Sequence, residues 1–260
     1  MIPKIIHYCW FGGNPLPPLG EKCLESWKKH CPDYTILRWD ESNFDLSACP
    51  VYVQQAYEAK KWAFVTDYVR LKVVYDQGGI YLDTDVELKK SLDDLLEHQA
   101  YFGFENQKFV NTGLGFGARQ GADILAELMA DYRDISFRRE DGSLDLMPCP
   151  ERNTTVFLRH GLRPDGSRQL LPGGILVLPV EYLCPFSDHS GRMTITDNTV
   201  SVHWYGSSWI DGDVSAREKM RAAVRRKDSL IALAQWPNRM AMKLLGKERY
   251  QALKEKIKGK

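Results

Sequence analysis

The chain of 260 residues contains no apolar run approaching the roughly 18 residues that a membrane-crossing helix needs, which argues against an integral membrane protein. Its six cysteines, Cys9, Cys23, Cys31, Cys49, Cys149 and Cys184, include no C-x-x-C pair, so neither a structural zinc site nor a dithiol redox centre is expected. A chain of this length needs no disulfide staples, and the cysteines read as reduced thiols of the core. Low-complexity tracts and internal repeats are missing, which sets aside fibrous and solenoid architectures. The opening MIPKIIHYCW has no basic start, apolar core or small-residue cleavage site, so no secretory leader is expected and the expected location is cytoplasmic. No groove-reading motif is present, and nucleic acid is not an expected partner.

What the chain does have is an ordinary globular composition, 43% hydrophobic and 27% charged. The net charge of +1 conceals an asymmetry: residues 215–260 carry fourteen Lys and Arg against four Asp and Glu, leaving residues 1–214 at about −9. Met220, Ala223, Val224, Leu230, Leu233 and Ala234, then Met240, Leu244 and Leu245, recur at helical spacing on either side of Pro237. The expected organisation is a catalytic domain over 1–214 and a basic helical extension over 215–260. The extension either packs on the body with a solvated face or makes peripheral contact with the anionic inner face of a plasma membrane.

Along the body, strands are expected at Lys4 to Trp10, Tyr34 to Trp39, Ile80 to Leu82, Ala100 to Phe104, Gly113 to Ala118 and Ile175 to Val180. A hairpin is expected to join Met193 to Ile195 with Val200 to Trp204. Helices are expected around Cys23, Trp27 and Cys31, through Val51 to Gln77, and at Ala122 to Tyr132 and Thr154 to His160. This alternation is the pattern of an α/β fold, with a mostly parallel sheet covered on both faces and ligands beyond the carboxyl ends of the strands.

The most informative stretch is GGIYLDTDVEL, residues 78–88. Side chains alternate along a strand, so Asp83 and Asp85 are expected on one side of a strand's exit, where two close carboxylates repel unless a cation lies between them. Oxygen ligands point to Mg²⁺ or Mn²⁺, which complete their shells with water and substrate phosphates. A solvated turn is the alternative for such a pair taken alone. Upstream, Asp67 and Arg70 stand three apart on one helix face, either as an exposed ion pair or as a carboxylate and a guanidinium turned to a ligand.

The block A-x-x-T-D-x-x-R (Ala63 to Arg70) followed by GGIYLDTD resembles the DXD-containing glycosyltransferases of family 32, a group of yeast-type α-1,6-mannosyltransferases and bacterial capsular polysaccharide transferases distantly similar to the clostridial glucosylating toxins. IPKIIHYCWFGG at the start and HWYGSSW at 203–209 resemble the family's opening and closing segments, whereas Asp134 to Arg168 matches nothing in it. The resemblance implies a GT-A, Rossmann-like nucleotide-sugar fold, a nucleotide-sugar donor, Mn²⁺ or Mg²⁺, and retention of anomeric configuration. It implies that Asp67 and Arg70 face the donor, that Asp83 touches ribose and sugar, and that Asp85 ligates the metal. It further implies that Trp10 stacks on the base, that Asn111 and Thr112 lie beside the sugar, and that Ser208 and Trp209 hydrogen-bond the β-phosphate; a core tryptophan is the alternative for Trp10, and an asparagine merely preceding a glycine turn the alternative for Asn111. His203 is a candidate for completing the metal shell, against the alternative of a histidine merely hydrogen-bonded in place. HWYGSSW lacks the acidic residue that the toxins carry ahead of their Ser and Trp.

The function so implied is transfer of a sugar, from UDP in preference to GDP, to a saccharide or lipid-linked saccharide in capsular or other surface polysaccharide synthesis. Two rivals stand beside it. One is a haloacid-dehalogenase-type phosphatase with Asp83 as nucleophile and Asp85 as acid, although that element normally lies on a first strand. The other is a non-catalytic carbohydrate- or nucleotide-binding module, which would leave the acidic pair without a task. No general base is nominated; Asp67 and Glu105 are conceivable nucleophiles for a covalent route, with no motif behind them.

Overall fold

A computed structural model describes residues 1–187 and 191–206. Chain contacts define one unit, Met1–Phe186 with Met193–Ile210, and a second, Ser187–Arg192 with Asp211–Lys260; the described residues belong almost wholly to the first. The expected helices of 215–260, together with Ser208 and Trp209, lie outside the described residues.

The first unit is an α/β fold of the Rossmann-like kind that the sequence implies. Strands β1 (Ile5–Cys9), β2 (Thr35–Trp39), β3 (Gly79–Tyr81), β5 (Ala100–Gly103), β6 (Phe116–Ala118), β7 (Gln169–Leu171) and β8 (Ile175–Leu178) form one sheet in the order β2-β1-β3-β6-β5-β8-β7. β2, β1, β3, β5 and β8 share one direction, while β6 and β7 run against them.

Both faces are covered, and the period of two shows it. Ala100 and Phe102 of β5 and Ile175 and Val177 of β8 belong to one buried cluster, whereas Tyr101, Leu176 and Leu178 belong to the other. The first cluster takes in helices α2 (Val51–Glu58), α3 (Trp62–Gln77), α4 (Asp123–Ala130) and α5 (Cys149–Arg159). The second takes in α1 (Pro18–His30), whose Cys23 and Trp27 are fully buried. All six cysteines are buried and free, and no helix among the described residues is long and apolar enough to cross a membrane.

Three expectations are corrected. The single helical stretch Val51 to Gln77 is two helices, because Lys60 turns left-handed at φ 56°. There the Lys60 N–H reaches Tyr57 O and the Lys61 N–H reaches Ala56 O, the two bonds of a Schellman stop. The expected hairpin after Met193 does not form: the closing strand, Ser201–His203, pairs antiparallel with β4 (Val86–Leu88), setting His203 opposite Val86. Finally, the helix expected at Thr154 to His160 begins five residues earlier, at Cys149, with Pro150 in its first turn.

Candidate metal and donor site

Two glycines close α3 and launch β3. Gly78 adopts φ +67°, and at Gly79 a Cβ would lie 2.8 Å from the Ile5 carbonyl oxygen, so β3 can lie against β1 only with glycine there. β3 ends at Tyr81, and Asp83 to Asp85 sit in the turn between β3 and β4, closed by Val86 N–H to Asp83 O at 3.0 Å. The two carboxylates thus converge through a turn rather than through the pleat of a strand.

The closing strand completes the corner. Its register brings His203 Nε2 to 3.2 Å from Asp85 Oδ1. Directly beyond it, the Trp204 N–H donates to Asp85 O at 3.0 Å and the Gly206 N–H to Asp85 Oδ2 at 2.7 Å. Ligand atoms of Asp83, Asp85 and His203 all lie within 4.8 Å of one another. His203 Nδ1 is buried without a partner. Two carboxylates and an imidazole are a donor set that fits a divalent cation.

On the α3 side, Asp67 and Arg70 are 7% and 3% exposed, which removes the exposed ion-pair alternative. Arg70 Nη2 stands 3.0 Å from Asp67 Oδ1 and 3.5 Å from Asp83 Oδ1. Its Nε–H donates to Thr66 O, and its guanidinium lies over the Tyr81 ring at 5.1 Å. The Tyr81 hydroxyl donates to Asp83 Oδ1 at 2.8 Å, while Arg70 Nη1 is buried without a partner.

Electrostatics separate the three acids. Burial pushes the Asp67 carboxyl up to about 6, against the pull of Arg70. Burial also raises Asp83, with Arg70 opposing and the Asp85 charge adding to the rise. Burial works against ionising Asp85 as well, but the His203 charge and the hydrogen bonds from His203 and Gly206 outweigh it and hold that carboxyl at about 2. The imidazole is raised in turn, because Asp85 outweighs its burial.

Asn111 is buried on the loop before β6, its Oδ1 accepting the Gly113 N–H at 2.6 Å. The Cys149 thiol lies 3.6 Å from the same oxygen, and Asn153 Nδ2 donates to Thr112 Oγ1 at 3.0 Å. The N-terminal turn of α5 therefore supports the Asn111–Gly113 loop, a role invisible in the sequence. Trp10 follows β1, next to β3 in the sheet, so it too lies beyond the carboxyl ends of parallel strands; it is half-buried, and its indole N–H donates to Asn14 O at 2.7 Å. Tyr81, Gly113, Tyr205 and Gly206 also belong to this corner and are not among the residues expected from the sequence; of these, Gly113 carried a signal, standing next to Thr112.

A family profile described as "Glycosyltransferase sugar-binding region containing DXD motif" matches residues 17–102. Inositol phosphoceramide mannosyltransferase 3 of Schizosaccharomyces pombe is 37% identical over 52% of this chain, and the match spans 38% of that protein's length. The uncharacterized glycosyltransferase L373 of Acanthamoeba polyphaga mimivirus is 32% identical over 80% of this chain and 84% of its own length. Among solved structures, the PaToxG glycosyltransferase superposes with a TM-score of 0.46 at 20% identity, over 61% of this chain and 68% of that one. With its Asp-Thr-Asp turn inside the matched region and a relative aligned over most of both chains, the protein belongs to the DXD-containing glycosyltransferase family.

Proposed function

We propose that the protein is a metal-dependent, retaining glycosyltransferase of the GT-A type, moving a sugar from a nucleotide-sugar donor to a saccharide or lipid-linked saccharide acceptor. The observation that carries this reading is the convergence of Asp83, Asp85 and His203 beside the buried Asp67–Arg70 pair. Asp83, Asp85 and His203 would hold Mn²⁺ or Mg²⁺, which when bound offsets the negative charge that grows on the departing diphosphate.

The chain's own residues supply the rest. Arg70 holds Asp83 in place and keeps the N–H groups of Nη1 for ligand oxygens. Asp67 and Asn111 are the candidates to accept hydrogen bonds from sugar hydroxyls, Trp10 is the candidate to stack on the base, and Ser208 and Trp209 are the candidates for the β-phosphate. In a retaining transfer the acceptor hydroxyl attacks the face that the diphosphate leaves. A phosphate oxygen then takes the hydroxyl proton, the new glycosidic bond forms as the sugar–phosphate bond breaks, and no enzyme base is required. Asp67, buried and bound to Arg70, is poorly placed to act as a covalent nucleophile.

A UDP donor is favoured over GDP. A thermal-shift panel of UDP- and GDP-sugars with Mn²⁺ tests this, since a ligand that binds only the native state raises apparent stability; a shift with GDP-sugars alone would reverse it. The basic 215–260 segment supports a cytoplasmic enzyme working at the inner face of a membrane, in surface polysaccharide synthesis. Vesicles containing anionic lipid should bind the protein at low salt and release it at high salt, and binding that ignores both lipid charge and salt would overturn that placement.

A further inference from the structure

The imidazole of His203 has an unusual support. Metal-binding histidines generally fix their ring by donating the second ring N–H to a carboxylate or carbonyl. Here Nε2 faces Asp85 at 3.2 Å, and the buried Nδ1 has no partner. Asp85 is itself a candidate ligand, so a carboxylate turned toward a cation would leave the ring without a dedicated hydrogen-bonding anchor.

What packs on the ring is Tyr205. The two ring centroids are 4.2 Å apart with planes at 68°, an edge-on contact. The tyrosine is tied at its far end, where its hydroxyl donates to Glu105 Oε1 at 3.1 Å and meets Cys184 Sγ at 3.0 Å. Its backbone sits in the left-handed region at φ 50°, a conformation that a bulky residue rarely adopts and that persists where its surroundings over-determine it.

We infer that Tyr205 is a positioning residue for the candidate metal centre, its tethered ring holding the His203 imidazole in the orientation that metal binding needs. The inference rests on the metal reading of Asp83, Asp85 and His203. It assigns the anchoring, elsewhere given to a hydrogen bond, to a packed aromatic edge. The hydroxyl's bonds to Glu105 and Cys184 hold the ring; the contact with the imidazole does the positioning.

The test is Mn²⁺ binding in the presence of UDP, read from the free-ion electron paramagnetic resonance signal without turnover. The full chain is compared with Tyr205→Phe and Tyr205→Leu, each also in a His203→Ala background, and with Asp85→Asn. Tyr205→Leu is expected to weaken Mn²⁺ binding by about tenfold or more, and Tyr205→Phe, which keeps the aromatic edge but loses the tether, by a smaller factor of about two to four. In the His203→Ala background, Tyr205→Leu should add less than about twofold, because a residue acting through His203 has nothing left to act on. Tyr205→Met, which fills space without a flat edge, takes the place of the leucine variant if that variant does not fold. Unchanged affinity in the leucine variant, an equal loss in both backgrounds, or a loss as large with phenylalanine would overturn the inference while Asp85→Asn still weakens binding. Absence of Mn²⁺ binding by the unaltered chain, or binding that Asp85→Asn leaves intact, would overturn the metal reading and the inference with it.

Discussion

Gly113 stands against Asp83 so closely that a Cβ built on it would lie 2.6 Å from Asp83 Oδ2. The same carbon would come within 3.1 Å of Arg70 Nη1, the guanidinium nitrogen that lacks a partner. Glycine at this position is what lets the loop before β6 approach the acidic turn.

Gly113→Ala should therefore damage the site more than the fold. The Asp83 carboxylate can swing aside, so thermal unfolding should change little. Its displacement should lower kcat/KM by about tenfold to a hundredfold, the scale of an ångström-sized misplacement. Full activity in the alanine variant would show that Asp83 can move without consequence.

Arg70 carries the next prediction. It is the cation that both Asp67 and Asp83 face, and Asp67 is buried with it. Arg70→Met should lower stability by about 3–5 kcal/mol, because it leaves a buried carboxylate unmatched. Adding Asp67→Asn should recover part of that loss. Urea unfolding of the single and double variants checks both statements; additive losses would mean that the two side chains do not act as a pair.

The closeness of Asp83 and Asp85, the helix face of Asp67 and Arg70, and the positions of the main strands along the chain were legible in the sequence. Each is a local pattern: a glycine pair that ends a helix, an apolar run, carboxylates at a short spacing. The supports of the site were not legible, because they come from distant pairing. His203 meets Asp85 only once the closing strand lies against β4, and Cys149 meets Asn111 only once α5 is docked. The break at Lys60 escaped for another reason: the left-handed position of a Schellman stop usually announces itself as glycine, and here it is lysine. The hairpin expected after Met193 was a local guess that lost to a non-local partner.

His7 gives stability a pH dependence away from the site. It is fully buried on β1; its Nδ1 accepts the Trp39 indole N–H at 3.0 Å, so Nε2 carries the proton and donates to Gly78 O at 2.9 Å. Burial holds the imidazole below its ordinary value of 6.5, partly offset by the bond to Gly78. The unfolded chain then binds a proton that the folded chain refuses. The stabilisation is complete above the ordinary imidazole range and is lost as pH falls through it toward the folded value. The urea midpoint should drop between about pH 7.5 and about pH 5.5. His7→Gln, which can accept and donate in the same two directions, should flatten that drop; an equal drop in the glutamine variant would place its cause elsewhere.

The central claim is that Asp85 ligates a divalent ion on which sugar transfer depends. Its most direct test is turnover of the nucleotide-sugar donor after chelation, after Mn²⁺ is restored, and in a folded Asp85→Asn protein. The account predicts that chelation abolishes turnover, that Mn²⁺ restores it in the unaltered chain, and that Asp85→Asn remains at least about a hundredfold slower at any Mn²⁺ level. Turnover that survives chelation, or an Asp85→Asn protein as fast as the original, would contradict it.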